Sequence, residues 1–289
     1  MKYTESTTLF GCEGDRLIGI LAKPEVPATT GVLVIVGGPQ YRVGSHRQFL
    51  LLSRSLAAAG FAVLRFDYRG MGDSEGQQHS FESVSTDIAA AIDELQARVP
   101  AIRQIVLWGL CDGASAALLY CHETKDPRVT GLCLLNPWVR SEASLAQTHI
   151  KHYYARRLKE KAFWSKLLSG KVALRAFTGL LRNIQLAITG LHGVAAHAQP
   201  FQVRMAKAWQ GFKGNILLVL SEDDYTAKEF LEYANADPSW KGWLSHPRLQ
   251  RCNVAGADHT FSTSAWRRLV ADQIVVWTGQ LSHKAGQDI

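Results

Sequence analysis

Short apolar runs that alternate with amphipathic stretches constrain the fold of this chain more than any other feature. Residues 31–36 form a continuous apolar run rich in β-branched side chains and are followed by Gly37-Gly38-Pro39, a pattern typical of a strand buried on both faces. Similar runs, most of them separated by stretches with helical spacing of apolar residues, lie at 61–66, 105–108, 129–135, 216–220 and 249–254. Strands that alternate with helices predict an α/β protein with a doubly wound, mostly parallel sheet.

The composition agrees with a folded domain that has a sizeable core. Of the 289 residues, 47% are hydrophobic and 20% are charged, which excludes intrinsic disorder, a collagen-like repeat and a coiled coil. No apolar stretch approaches the roughly 18 residues of a membrane helix, and the polar first residues predict no secretory signal. The five cysteines are widely spaced and form no Cys-x-x-Cys pair. We therefore expect neither a disulfide framework nor a zinc cluster, and we predict a cytoplasmic protein.

Positive charge is concentrated in one internal segment. Residues 141–213 contain 12 Lys or Arg and two acids, a net charge of +10, whereas the rest of the chain carries −3. The segment also interrupts the alternation of strands and helices, which predicts an insertion. We therefore expect residues 1–140 and 214–289 to form the core and residues 141–213 to form a basic helical cap.

The basic segment suggests an anionic partner. It contains no recognisable nucleic-acid-binding motif, so nucleic acid is not predicted. Its aromatic and aliphatic residues partly follow helical spacing, and such helices could face an anionic substrate or lie on an anionic membrane surface. A simpler interpretation stays open, in which the apolar stripe packs on the core and the lysines are only solvated.

The pentapeptide Gly109-Leu110-Cys111-Asp112-Gly113 carries the strongest chemical signal. It follows the apolar run at 105–108 and precedes an Ala-rich stretch with helical spacing. A strand, a sharp turn and a helix are the context of the nucleophile elbow Gly-x-Ser-x-Gly, here with Cys in place of Ser. We predict that Cys111 is a nucleophile. The alternative is a small buried apolar residue, as free cysteines commonly are.

A second segment, Gly72-Asp73-Ser74-Glu75-Gly76, matches Gly-x-Ser-x-Gly letter for letter. No strand leads directly into it, and the residues after it do not open a convincing helix. Without the strand–turn–helix context Ser74 is predicted to be a structural loop hydroxyl and not a nucleophile.

Candidates for the base and the acid follow Cys111 in the order nucleophile, acid, histidine that doubly wound hydrolases use. The run at 216–220 ends in an acidic turn, in which we favour Asp224 as the acid and keep Asp223 as the second choice because the loop length is not fixed. A solvated acidic turn is the alternative. His259 lies in the loop after the run at 249–254 and is predicted to be the general base, with a surface loop histidine as the alternative.

An acyl-transfer site also needs two N–H groups that stabilise an oxyanion. One would be the backbone N–H of Asp112, directly after the predicted nucleophile. The other is expected from the loop after residue 36, where Gly38 is the choice because Pro39 has no N–H. The same loop also suits a tight turn, and the two interpretations are compatible.

These motifs resemble the α/β-hydrolase superfamily, from about Gly31 to Gln280. Residues 36–40 are similar to the His-Gly-Gly-Pro-Gly segment of its peptidase-like members, with Val and Gln at the outer positions, and residues 67–74 resemble its Asp-x-Arg-Gly-x-Gly-x-Ser loop. The resemblance implies the α/β-hydrolase fold with an inserted cap domain at the basic segment. Cys in place of Ser at the elbow departs from the superfamily pattern.

A narrower resemblance is carried by residues 38–47 together with residues 109–113, which look like the exosortase A system-associated hydrolase 1 family. It implies a bacterial exopolysaccharide and protein-sorting context without a defined substrate. The predicted function is hydrolysis of a small-molecule ester or thioester through a Cys-His-Asp triad and an acyl-enzyme intermediate, with no cofactor and no metal.

Three other functions stay open at this point. The first is an acyltransferase that uses an acyl thioester, because polyester synthases resemble this chain in their Cys-containing elbow and a basic cap could hold a coenzyme A-like phosphate. The second is a catalytically inactive binding protein on the same scaffold. The third is a peripheral membrane protein whose basic helices dominate its behaviour.

Overall fold

The computed structural model of the chain describes residues 1–38, 40–140 and 199–285, with the last four given as backbone only. The chain divides into two units, one made of Met1–Val139 with Pro200–Ile289 and the other of Arg140–Gln199. Except for its two end residues, the second unit lies outside the described residues. Residues 141–198 of the predicted helical cap therefore lie outside the part of the chain whose structure is given, and residues 199–213 lie within it.

The described residues form an eight-stranded sheet with the strand order β1-β2-β4-β3-β5-β6-β7-β8. β1 pairs antiparallel with β2, and β2 pairs antiparallel with β4. All the remaining neighbours are parallel, which confirms the predicted mostly parallel, doubly wound sheet. The strands are β1 (Tyr3–Cys12), β2 (Asp15–Pro24), β3 (Thr30–Ile35), β4 (Ala62–Phe66), β5 (Gln104–Leu110), β6 (Val129–Leu135), β7 (Asn215–Ser221) and β8 (Leu249–Val254).

Helices connect the parallel strands, as the alternation of apolar runs and amphipathic stretches predicts. Within the described residues, no helix is long and apolar enough to cross a membrane. The α-helices are α1 (Gln48–Ala58), α2 (Ser85–Arg98), α3 (Asp112–Thr124), α4 (Phe201–Gly211), α5 (Tyr225–Ala236) and α6 (Ser264–Ala285).

Helix α4 corrects the predicted boundary of the basic segment. The sequence places the end of the insertion at residue 213, whereas residues 200–213 belong to the same unit as the sheet. One face of α4 is buried through Phe201, Met205 and Trp209. Trp209 packs 5.7 Å from the ring of Trp240 and donates its indole N–H to the carbonyl of Trp243 at 3.0 Å. This aromatic packing holds α4 in the core although its surface side chains are basic.

The carboxyl ends of the parallel strands lie together along one edge of the sheet. β3 and β5 are neighbours, and the order β5-β6-β7-β8 follows without interruption. The strands β3 and β4 are buried along their whole length. The loops that carry the predicted site residues follow β3, β5, β7 and β8, so the topology brings them to the same edge, where open α/β sheets bind their ligands.

Candidate active site

Cys111 lies in a sharp turn between β5 and α3. Its backbone has φ 61° and ψ −126°, a strained conformation for a residue with a side chain. A Cβ on Gly109 would lie 2.4 Å from the backbone of Gly113, and a Cβ on Gly113 would lie 2.6 Å from the carbonyl of Ile35. Both glycines are therefore required, and the strand–turn–helix context that the sequence predicts is present.

The loops after β7 and β8 bring Asp224 and His259 together. Oδ2 of Asp224 lies 2.8 Å from Nδ1 of His259. Asp224 is buried and also caps α5, accepting the N–H groups of Thr226 and Ala227 at 3.1 and 3.2 Å. Asp223, the second choice from the sequence, is exposed and lies 4.0 Å from the ammonium of Lys228. Of the two carboxylates, the structure places Asp224 against the histidine.

The other side of the His259 ring faces Cys111. Hydrogen bonds first with Asp224 and then with Cys111 raise the pKa of His259 to about 10, although burial acts in the opposite direction. Because Asp224 engages Nδ1, Nε2 is the ring nitrogen left for the thiol. The carboxylate holds the ring in one orientation, and Cys111 is close enough to raise the pKa of the same ring, so a proton can move from sulfur to the imidazole.

The other four thiols lie in different surroundings. Burial raises the pKa of Cys12 and Cys252, raises the pKa of Cys121 to about 12, and raises that of Cys133 well above its usual value. All five cysteines are free. Within residues 1–38, 40–140 and 199–285, no group of three or more His, Cys, Asp or Glu side chains is placed to hold a metal ion.

The two predicted oxyanion donors lie next to each other, but one of them is already engaged. The N–H of Gly38 donates to Oδ1 of Asp112 at 2.6 Å. Burial raises the pKa of Asp112, whereas backbone hydrogen bonds from Gly38, Asp112 itself and Gly113 lower it. The sequence predicts a role only for the backbone N–H of Asp112. Sequence reasoning missed that the side chain of the same residue accepts the N–H of Gly38.

Asn136 is a site residue that the sequence does not single out, since it follows β6 and resembles a simple strand end. Its side chain is fully buried, and its Nδ2 donates to Oγ of Ser221 at 2.9 Å and to the carbonyl of His259 at 3.2 Å. Its Oδ1 accepts the N–H of Ser221 at 2.8 Å, and Oγ of Ser221 donates to the carbonyl of Asp258 at 2.9 Å. Asn136 thereby fixes the loop that carries the histidine. The sequence signal that could have identified it is an Asn directly after a buried strand. Asn tolerates a positive φ, and φ of Asn136 is 45°.

The residues after Asn136 hold the nucleophile turn. The N–H of Trp138 donates to the carbonyl of Cys111 at 3.2 Å, and Oγ of Ser115 donates to the carbonyl of Trp138 at 2.6 Å. The N–H of Cys111 in turn donates to the carbonyl of Leu135 at 2.9 Å. The short segment after β6 therefore contacts both the turn at Cys111 and the loop at His259.

Ser74 has the structural role that its context predicts. Its Oγ donates to the carbonyl of Asp67 at 2.8 Å and accepts the N–H of Ile18 at 3.0 Å. Asp67 is buried and forms an ion pair with Arg42. The hydroxyl is thus fully engaged in holding its loop against β2.

Comparison with known proteins agrees with the fold. The family model described as Hydrolase_4, serine aminopeptidase S33, matches residues 28–179, which is more than half of the chain. The human protein ABHD12B is 36% identical over 116 residues, which are 38% of this chain and 31% of that protein. The chain therefore spans about a third of the length of that relative.

Two solved structures share the architecture at low sequence identity. Est1E from Butyrivibrio proteoclasticus, solved with ferulic acid, superposes with a TM-score of 0.62 at 15% identity, covering 94% of this chain and 98% of that one. The esterase Pf2001 from Pyrococcus furiosus gives a TM-score of 0.64 at 15% identity, covering 96% and 91%. These likenesses show the fold. Together with the family match they establish that this chain belongs to the serine aminopeptidase S33 family and is an α/β-hydrolase.

Proposed function

We propose that this α/β-hydrolase cleaves an ester or thioester of a small acyl substrate through a triad of Cys111, His259 and Asp224. The observation that carries the proposal is the 2.8 Å hydrogen bond between Nδ1 of His259 and Oδ2 of Asp224, with the thiol at the strained turn close enough to raise the pKa of the same imidazole. A nucleophile, a base in contact with it and a group that orients the base are the arrangement of nucleophilic acyl transfer. The family is named for serine enzymes, and here the thiol stands at the nucleophile position.

In the first half-reaction the proton of the Cys111 thiol passes to Nε2 of His259, whose raised pKa favours the imidazolium. The sulfur attacks the substrate carbonyl carbon, and the carbonyl π electrons move to oxygen to give a tetrahedral oxyanion. When that intermediate collapses, the bond from carbon to the leaving oxygen or sulfur breaks and His259 gives its proton to the leaving group. The product left on the enzyme is an acyl thioester of Cys111.

In the second half-reaction the same groups act on water. His259 takes a proton from a water molecule as the water oxygen attacks the thioester carbonyl. A second tetrahedral oxyanion forms and collapses, the carbon–sulfur bond breaks, and the proton on His259 returns to the sulfur. Throughout both halves Asp224 accepts from Nδ1–H, which keeps the correct tautomer and stabilises the imidazolium.

Both oxyanions need donors that are already in place. The N–H groups of Asp112 and Gly38 are the proposed pair, since both lie beside the thiol at the carboxyl edge of the sheet. In the structure the Gly38 N–H is bound to the Asp112 carboxylate. The proposal therefore requires that this carboxylate give up the Gly38 N–H before the oxyanion forms.

Several further features support the choice of substrate and setting. The structural neighbour Pf2001 is named as an esterase, which favours ester substrates over peptides. The resemblance of residues 38–47 to the exosortase A system-associated hydrolases supports a bacterial exopolysaccharide and protein-sorting context, and the five free cysteines favour a reducing cytoplasm. We further propose, from composition alone, that the basic segment binds an anionic part of the substrate or an anionic membrane surface.

The experiment that tests the proposal compares the wild type with Cys111→Ala on a series of p-nitrophenyl esters and acyl thioesters. We expect the substitution to reduce kcat by on the order of 10³-fold or more, because nucleophile and base act as one unit. We also expect iodoacetamide to label Cys111 first among the five thiols, with loss of activity in parallel. Cys252→Ala, at a half-buried thiol on the edge strand, is the matched control and should retain activity.

One outcome would contradict the proposed nucleophile, and another would contradict hydrolysis as the reaction. Equal hydrolysis by the wild type and Cys111→Ala would remove the mechanism. Faster product formation in the presence of an added alcohol or thiol, with the acyl group recovered on that acceptor, would show that the enzyme is an acyltransferase and not a hydrolase.

A further inference from the structure

The side chain of Asp112 lies where the proposed reaction needs an oxyanion. Asp112 is the first residue of α3, and its Oδ1 accepts the N–H of Gly38 at 2.6 Å. Backbone hydrogen bonds from Asp112 itself and from Gly113 also stabilise its ionised form. The N–H groups of Gly38 and Asp112 are the two donors that the proposed mechanism assigns to the oxyanion. A carboxylate oxygen of the protein is thus a stand-in for the negative oxygen of the tetrahedral intermediate.

The surrounding backbone fits closely around this carboxylate. A Cβ on Gly37 would lie 2.5 Å from Oδ1 of Asp112 and 2.4 Å from the carbonyl of Leu110. Only glycine at position 37 therefore allows the carboxylate and the backbone of the turn to approach each other. The carboxylate also lies at the N-terminal end of α3, where the free N–H groups and the helix dipole favour a negative charge. These features stabilise one negative oxygen at this position.

We propose that the side chain of Asp112 closes the oxyanion hole in the resting enzyme, and that acylation of Cys111 begins only after this carboxylate has released the Gly38 N–H. The inference rests on the proposed function, because it concerns the donors of the same site. Two negative oxygens cannot share the same N–H groups, since like charges in contact repel strongly where water is excluded. Asp112 therefore competes with the transition state and limits the rate of acylation.

The surroundings of Asp112 also disfavour its ionised form. Burial is the largest influence on the pKa of Asp112 and raises it, while the nearby His259 lowers it through its charge. The buried hydroxyl of Tyr68 is a further neighbour, and its own pKa is raised well above the usual value by burial and by the charge of Asp112. The carboxylate is thus held by the N–H groups of the hole and opposed by its loss of hydration.

The test measures the rate of acylation of Cys111 in single turnovers with p-nitrophenyl acetate, followed by the release of p-nitrophenolate. Asp112→Ala keeps both backbone N–H groups and removes the carboxylate, so we expect acylation about tenfold faster or more, because one oxyanion donor is worth about 10²–10³-fold in rate. Asp112→Asn keeps the shape without the charge and should lie between Asp112→Ala and the wild type. Glu222→Ala removes an exposed carboxylate near the same edge and should leave the rate unchanged.

A second measurement uses 1,1,1-trifluoroacetone, which forms a hemithioketal with the thiol and places a negative oxygen in the hole. We expect it to inhibit Asp112→Ala about tenfold more tightly than the wild type. Acylation by Asp112→Ala at the wild-type rate or below would overturn the inference. If the alanine variant does not fold, acylation by Asp112→Asn at the wild-type rate or below would overturn it instead. The proposed function fails on a different result, namely activity retained in Cys111→Ala, so the two failures are distinguishable.

Discussion

Oδ2 of Asp224 lies 2.8 Å from Nδ1 of His259, and the same carboxylate caps helix α5. One side chain therefore fixes both the start of a helix and the orientation of the imidazole. Asp223, one residue earlier, is exposed and has neither contact among the described residues. The acid of the triad thus both caps a helix and orients the imidazole, and a substitution can separate these two roles.

Asp224→Asn is expected to separate them. Asn also caps helices well, so we expect little change in Tm. The amide presents the wrong hydrogen-bonding group to Nδ1–H and favours the wrong tautomer, so kcat for ester hydrolysis should fall by on the order of 10²–10⁴-fold. Steady-state kinetics and thermal denaturation of the purified variant check both expectations. Asp223→Asn is the matched comparison and should behave like the wild type; a larger loss there than at position 224 would reassign the acid.

The glycines of the nucleophile turn give a prediction about stability. A Cβ on Gly109 would lie 2.4 Å from the backbone carbon and oxygen of Gly113, where no flexible side chain can move aside. Gly109→Ala should therefore lower the free energy of unfolding by about 2 kcal/mol or more. Gly279→Ala is the control, since a Cβ there meets nothing within 4 Å in helix α6, and it should raise stability by about 0.5–1 kcal/mol. Urea denaturation of the two variants measures the difference, and equal stability would contradict the described turn.

Much of the sheet could be predicted from sequence because its central strands are buried on both faces. The predicted bounds of β6 and β8 coincide with the observed ones, those of β4 differ by one residue at one end, and those of β3 and β7 differ by one residue at each end. Strand β5 begins one residue earlier and ends two residues later than predicted. The hairpin of β1 and β2 was not singled out, because many of its side chains are exposed and its apolar signal is weak. Helix α4 was assigned to the insertion because Arg204 and Lys207 resemble its basic composition, whereas burial of Trp209 decides its place.

In the candidate site, too, the residues that follow predicted strands could be predicted, whereas those placed by side-chain packing could not. Cys111, Asp224 and His259 could be found because each follows a predicted strand in the chain order of the fold, and parallel strands bring such positions to one edge. The carboxylate of Asp112 at the Gly38 N–H could not be found, because the direction of a side chain from a helix N-terminus depends on the space that Gly37 leaves. Asn136 was missed because its partners are backbone carbonyls of a loop distant in sequence.

Asn136 should act as a positioning residue for the histidine. Asn136→Ala leaves the N–H and hydroxyl of Ser221 and the carbonyl of His259 without their present partner. Because these groups are buried, we expect a loss of about 1–3 kcal/mol in the free energy of unfolding. The His259 loop would also lose its anchor, so kcat should fall more than KM rises, by about tenfold or more. Asn136→Asp keeps an acceptor for the Ser221 N–H but cannot donate to the carbonyl of His259, and it should not restore kcat; full activity in that variant would refute the positioning role.

The last prediction concerns the pH dependence of stability. The pKa of His259 is raised from 6.5 to about 10 in the folded state by Asp224 and then by Cys111. A group whose pKa is higher in the folded than in the unfolded state contributes stability that is fully present below the unfolded value and is lost as pH rises through the folded value. The free energy of unfolding should therefore decline between about pH 6.5 and pH 10, and urea denaturation across that range measures it. His259→Gln cannot titrate and should show a flatter dependence in the same window. A wild type whose stability rises over that range relative to His259→Gln would show that the imidazole is not held by the carboxylate and the thiol.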